Sequence, residues 1–289
     1  MNETETGVIF SCSEALLAGS KVNMSIGFEG VVFGAEEAFG LFENPYKRED
    51  GSVGKFLLTQ LEMDGARRIF PCLDDPSLKA NFTVSLISAE SHTFLSNMDI
   101  DTVSKVGDNK KVTFNTSPFM STYLLALAIG ELNFIESGDF RVPIRIYGSP
   151  VRNADMAKYA LDIAVEGMKK FEEALGIEYA LPKIDHVAVE GSAFGGMENW
   201  GLITLAQDMV FIENNSTPDT RQVTAEIVLH ELAHMWFGDL VTMEWWTQVW
   251  LNEGLFVFPR KARLAKRSTN IKQCRLLYLR EGFPRNFGK

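Results

Sequence analysis

The sequence predicts an α+β fold, a β-rich first region followed by a mixed region with long helices. Three observations carry that expectation. Apolar residues alternate with polar ones through about residue 136, and beyond 137 they recur at three- and four-residue spacing. The last helical pattern contains His-Glu-x-x-His at residues 230–234. No internal repeat or low-complexity segment interrupts the chain.

In the first region, Phe82, Val84 and Leu86 alternate with Thr83 and Ser85, and Val112 and Phe114 repeat the pattern. Such alternation turns one set of side chains to each face of a strand. Val106-Gly107-Asp108-Asn109 reads as a turn. Thr59-Gln60-Leu61-Glu62 leads into Ala66–Pro76, a polar loop with an apolar anchor. After residue 137 come a strand at Val142, Ile144 and Ile146, then an amphipathic helix marked by Met156, Tyr159, Ala160, Ile163, Gly167, Phe171 and Ala174. His186-Val187-Ala188-Val189 predicts a short strand. Gly195 and Gly196 then precede another, and paired glycines let a second backbone approach closely. Glu198 is a carboxylate in that otherwise apolar stretch, which also fits a strand residue facing solvent.

The last helix has Thr217 to cap its start and Pro218 at its first position. Val223, Ile227, His230, His234 and Phe237 form a stripe expected to face inward. His230 and His234 lie four apart, so both can point at one ion. A buried helix with two hydrogen-bonded histidines has the same pattern. A catalytic zinc site takes three protein donors and leaves a fourth position to water. The third candidate is Glu253, eighteen intervening residues after His234.

Of 289 residues, 46% are hydrophobic, enough for one large domain or two ordinary ones. The longest apolar run, Tyr123–Ile129, is too short to span a bilayer. Cys12, Cys72 and Cys274 cannot form a paired framework. The net charge of −10 hides an asymmetry, because residues 259–289 carry ten basic residues and one acidic one. The strongly acidic remainder argues against nucleic acid and suits a cationic partner. Sequons at Asn2, Asn23, Asn81, Asn115, Asn214 and Asn215 lean toward a secreted or membrane-anchored parent. The acidic, polar start Met1–Thr6 lacks a signal-peptide pattern and leans toward the cytoplasm, leaving the compartment open.

Three stretches together resemble the zinc aminopeptidases of the aminopeptidase N and puromycin-sensitive aminopeptidase group. They are Gly195-Gly196-Met197-Glu198-Asn199, His230-Glu231-Leu232-Ala233-His234, and Glu253 at its spacing. Pro71–Pro76, Met120–Leu125 and Val241–Trp246 add to the likeness, which runs from about Leu57 to Phe256. The resemblance implies a partial N-terminal antiparallel β-sheet domain (residues 1–136) and a partial thermolysin-like zinc-peptidase domain (137–258). Residues 259–289 form a basic tail without family likeness, and Pro259 should end the helix bearing Glu253.

The resemblance also implies roles. His230, His234 and Glu253 would hold one zinc ion per chain, and Glu231 would act as general base. Glu198 and Glu62 would anchor the free α-ammonium of a peptide substrate. Gly195, Gly196, Met197 and Asn199 would bind the substrate's N-terminal residue as an added strand. No nucleic acid and no membrane span are implied for this chain; oligomeric state is not addressed.

Departures from the pattern qualify this. Gly196 stands where the family usually has alanine, expected to be a mild loosening, and Thr247-Gln248 replaces an Asn-Asp pair. The tyrosine that stabilises the family's tetrahedral intermediate lies beyond residue 289, and Tyr278 is too close to Glu253 to be it. The alternative reading is therefore a chain that binds zinc and peptide but turns over weakly. An epoxide-hydrolase branch of the family has glutamine where this chain has Glu62.

Overall fold

The structure is a computed structural model that describes residues 2–4, 7–192 and 194–254. A short hairpin, β1 (Asn2–Thr4) with β2 (Gly7–Ile9), starts the chain. An exposed segment then leads to β3 (Gly40–Lys47) and β4 (Val53–Gln60). Next come β5 (Ser85–Ala89), β6 (Thr93–Ser96), β7 (Ile100–Val106), β8 (Asn109–Phe114) and β9 (Leu127–Gly130). They form two antiparallel sheets, β3-β4-β9-β6 and β5-β8-β7. Burial alternates along β3 as a half-buried strand requires, and Pro45 is tolerated because β3 lies at a sheet edge.

The later strands are β10 (Asn133–Ser137), β11 (Ile144–Gly148), β12 (Ile184–Val189), β13 (Gly196–Met197) and β14 (Leu202–Ala206). They make one mixed sheet, β10-β11-β12-β14-β13, with a parallel centre and antiparallel edges. The helix α1 (Lys158–Leu175) lies in the crossover from β11 to β12. After the short α2 (Gln207–Val210) comes α3 (Pro218–His234), and residues 249–254 are helical again.

This sheet is covered on both faces, which explains why β12 is buried at every position. Ile184 and Ala188 join the core formed with α1 and α3. Val187 and Val189 turn the other way and pack with Phe42, Phe56, Leu58 and Leu95 of the first region. The β10 strand, already within the residues assigned to the first region, is hydrogen-bonded into the mixed sheet.

Two expectations meet the structure directly. Thr217 caps α3, its Oγ1 accepting from the Thr220 amide at 3.2 Å. The inward stripe of α3 holds only in part. Its core residues are Ala225, Val228 and Leu232, whereas Val223 is exposed and His230 only partly covered. His234 is fully buried, and Ile227 and Phe237 of the same stripe pack against that core. The basic tail, Pro259 and Tyr278 lie outside the described residues.

Candidate metal centre and amine site

The candidate side chains come from four separate parts of the chain. His230, Glu231 and His234 come from the last turns of α3, and Glu253 from helical residues 249–254. Glu198 follows β13, while Glu62 lies two residues past the end of β4, behind the fully buried Leu61. Gln60 Nε2 donates to the Met197 sulfur at 3.2 Å, which brings the end of β4 beside β13. Asn97 donates to the carbonyls of Leu124 and Trp200, and Lys183 donates to the Gly201 carbonyl at 2.7 Å. The turn directly after Glu198 is thereby held by Asn97 of the first region and by Lys183 of the second.

The donor atoms of His230, His234 and Glu253 lie within 4.8 Å of one another. His230 Nε2 stands 3.1 Å from His234 Nε2 and 3.3 Å from Glu253 Oε2. Bonds of about 2.0–2.1 Å at a tetrahedral angle separate neighbouring donors by about 3.3 Å. Two nitrogens and one carboxylate at these separations therefore fit zinc. Glu198, Glu62 and Glu253 form a second group within 4.8 Å, and Glu198, Glu231 and His234 a third. An all-carboxylate group suits a hard cation or an ammonium rather than zinc.

The carboxylates press on one another. Loss of solvent, then the charges of Glu198 and Glu253, push the Glu62 carboxyl up to about 9. Burial pushes Glu231 well above the usual range too, reinforced by Glu198, Glu253 and Glu62. Glu253 moves down, chiefly through its hydrogen bond with His230. Buried Asp239 is pushed up by burial and then by Glu198, although Lys79 acts in the opposite sense.

Gly196 has a sharper role than the loosening expected of it. A Cβ there would fall 2.2 Å from Glu231 Oε1 and 2.5 Å from Glu231 Cδ. The Glu231 carboxyl, the far end of a flexible side chain, lies against the β13 backbone there, and a side chain at 196 would make it shift. Gly195 accepts from the Ala206 amide, Met197 is buried, and Asn199 is fully buried with neither side-chain polar atom hydrogen-bonded. The outer side of β13 carries no other strand among the described residues.

Asn252 escaped the sequence reading. It is buried between Glu198 and His234, its Nδ2 donating to Glu198 Oε1 at 2.9 Å and its Oδ1 standing 2.7 Å from His234 Nδ1. Its one signal in the sequence is a short amide next to the candidate donor Glu253. Other stretches of the resemblance serve packing. Thr122 donates to Asp74 at 2.8 Å, Ser121 donates to the Pro76 carbonyl at 2.6 Å, and Tyr123 packs edge-on against Trp246.

Residues 159–283 match the peptidase family M1 domain, and residues 1–124 match the peptidase M1 N-terminal domain. The chain belongs to peptidase family M1. The M1 match extends into the basic tail that the sequence reading sets apart. The chain is 43% identical over 257 residues to "Aminopeptidase 2, mitochondrial" of Saccharomyces cerevisiae, covering 87% of this chain and 27% of that protein. It is 41% identical over 247 residues to the puromycin-sensitive aminopeptidase of Caenorhabditis elegans, covering 82% and 25%. To aminopeptidase N of Acetobacter pasteurianus it is 38% identical over 218 residues, covering 74% and 61%. It thus spans about a quarter of the length of the first two relatives. Among the described residues, no helix is long and apolar enough to cross a membrane.

Proposed function

We propose that this M1 chain is a zinc aminopeptidase that hydrolyses the N-terminal peptide bond of peptides. The observation that carries the reading is one juxtaposition. Glu253 belongs to two groups, its carboxylate lying within 4.8 Å of the donor atoms of His230 and His234 and within 4.8 Å of the glutamate pair Glu62 and Glu198.

His230, His234 and Glu253 would hold one zinc ion. In such a site zinc acts as a Lewis acid toward a carbonyl and brings the pKa of water to about 7. Glu231 takes a proton from the attacking water and delivers it to the departing amine. Its raised affinity for a proton suits the second half of that task. Glu198 and Glu62 hold the substrate's α-ammonium. An internal peptide bond brings no positive charge to this place, so the carboxylates select the chain end. The open edge of β13, with Gly195, Gly196, Met197 and Asn199, pairs with the substrate backbone as an added strand. In this reading residues 1–136 contribute Glu62, and residues 137–258 contribute every other named group.

A fluorogenic aminoacyl amide, assayed with and without a zinc chelator, tests the activity. Hydrolysis should require the metal, and the N-acetylated amide should not react. Metal analysis tests the donors: one zinc per chain is expected in the parent, and wild-type stoichiometry in His234→Ala would sink the assignment.

A further inference from the structure

We infer that Asn252 is a positioning residue that joins the metal donor His234 and the amine anchor Glu198 into one hydrogen-bonded unit. The inference rests on the zinc and amine reading above. It adds that the two halves of the site are mechanically linked through one amide.

The direction of every bond in the unit follows from chemistry. A carboxylate accepts only, so the Asn252 group facing Glu198 Oε1 must be its NH₂. The Asn252 carbonyl oxygen then faces His234 Nδ1 at 2.7 Å, and the Phe237 carbonyl stands 3.0 Å from the same nitrogen. Two acceptors around one ring nitrogen require that nitrogen to carry the proton. His234 Nε2 then carries the lone pair, and it faces His230 Nε2 at 3.1 Å. One Glu198 oxygen is occupied by Asn252 as well, which holds that carboxyl in a single orientation with its other oxygen left to bind an ammonium.

Two further observations show that the unit is built. Asn252 is 3% exposed, and His234 is fully buried. Gly238, at φ 127°, has a backbone conformation that other residues rarely adopt, and a Cβ there would fall 2.4 Å from Asn252 Oδ1. The chain therefore bends beside Asn252 in a way that leaves room for its amide.

The test reads zinc affinity of the purified chain by competition with a chelating dye, with activity left out. Glu198→Gln and Glu198→Leu both remove the charge, but only Gln keeps an oxygen for the Asn252 NH₂. Glu198→Leu should bind zinc about fivefold more weakly than Glu198→Gln, the worth of one neutral hydrogen bond. In an Asn252→Leu background, itself weakened about 10–100-fold, that difference should vanish. Calorimetric titration with L-leucinamide should show weaker binding in Asn252→Leu as well. Equal zinc affinity of Glu198→Gln and Glu198→Leu overturns the inference, as does a difference that persists without Asn252. Should Asn252→Leu fail to fold, the Gln and Leu variants in the parent background decide alone. A parent chain that binds no zinc overturns the zinc reading itself, and the inference with it.

Discussion

Two groups of largely buried charged side chains lie in this molecule, and they follow opposite rules. Lys183, Asp185 and Arg145 form the first. Lys183 pairs with Asp185 at 2.9 Å and donates to the Ser96 and Gly201 carbonyls, while Arg145 reaches both Asp185 and Glu136. Its charges are neutralised within the protein, and the group links β6 to the mixed sheet. Glu62, Glu198, Glu231 and Asp239 form the second. Among the described residues, no lysine or arginine pairs with any of these four carboxylates. Lys79 comes near, but it donates to the backbone carbonyls of Asp239 and Leu240. A buried charge without a partner costs several kcal/mol, so burial raises the proton affinity of Glu62, Glu231 and Asp239, and a cation from outside would relieve that cost. The first group reads as structure, and Glu62, Glu198 and Glu231 of the second belong to the site proposed above.

Removing charge from each group should therefore have opposite consequences. The largest effect is on turnover. Glu231→Gln keeps the size of the side chain but cannot accept a proton, and it should lower kcat by about 10²–10⁴-fold with zinc retained. Steady-state kinetics with metal analysis checks it, and wild-type kcat would remove Glu231 from the role of base.

Next comes stability in the paired group. Lys183→Met leaves Asp185 buried with one partner fewer, which should cost about 3–5 kcal/mol in urea unfolding. No loss would mean that the group is not a lock between the two regions.

His186, fully buried beside this group, sharpens the contrast through pH. Burial holds its ring down to about 4, against an unfolded value near 6.5. The folded state resists the proton, so stability is full above about 6.5 and falls as pH drops toward 4. The total loss is about 3 kcal/mol, from 1.36 kcal/mol per unit. In His186→Phe, denaturation midpoints across that window should lose this component of the slope.

The smallest effect belongs to the unpaired group and has the reverse sign. The Asp239 carboxyl is pushed up, so the folded state keeps its proton while the unfolded chain releases it near 3.8. Stability is lost as pH rises above that value. Asp239→Asn should remove this slope and raise stability near neutral pH by about 1 kcal/mol. A variant less stable than the parent would show that the carboxylate has a partner.

Much of this was legible from residue order. Alternation around Val112 and Phe114 marked β8, and the spacing from Met156 to Ala174 marked α1, because both patterns are local consequences of backbone geometry. The α3 stripe was only partly legible, for a physical reason. Val223 shares its face with Ile227 and the histidines, yet Val223 is exposed while Ile227 packs on the core and His234 is buried, and periodicity does not tell where along a helix the cover ends.

The sequence by itself determined the donor types, their spacing along α3, and the family likeness carried by residues 195–199, 230–234 and 253. These rest on identities and short separations, which a chain keeps in any environment. Only the tertiary structure decided that Glu62 and Glu253 share one small volume, and that Asn252 reaches back 54 positions to Glu198. It also decided that Gly196 serves the carboxyl of Glu231. Such pairings depend on how sheets and helices pack, and packing is a property of many residues at once.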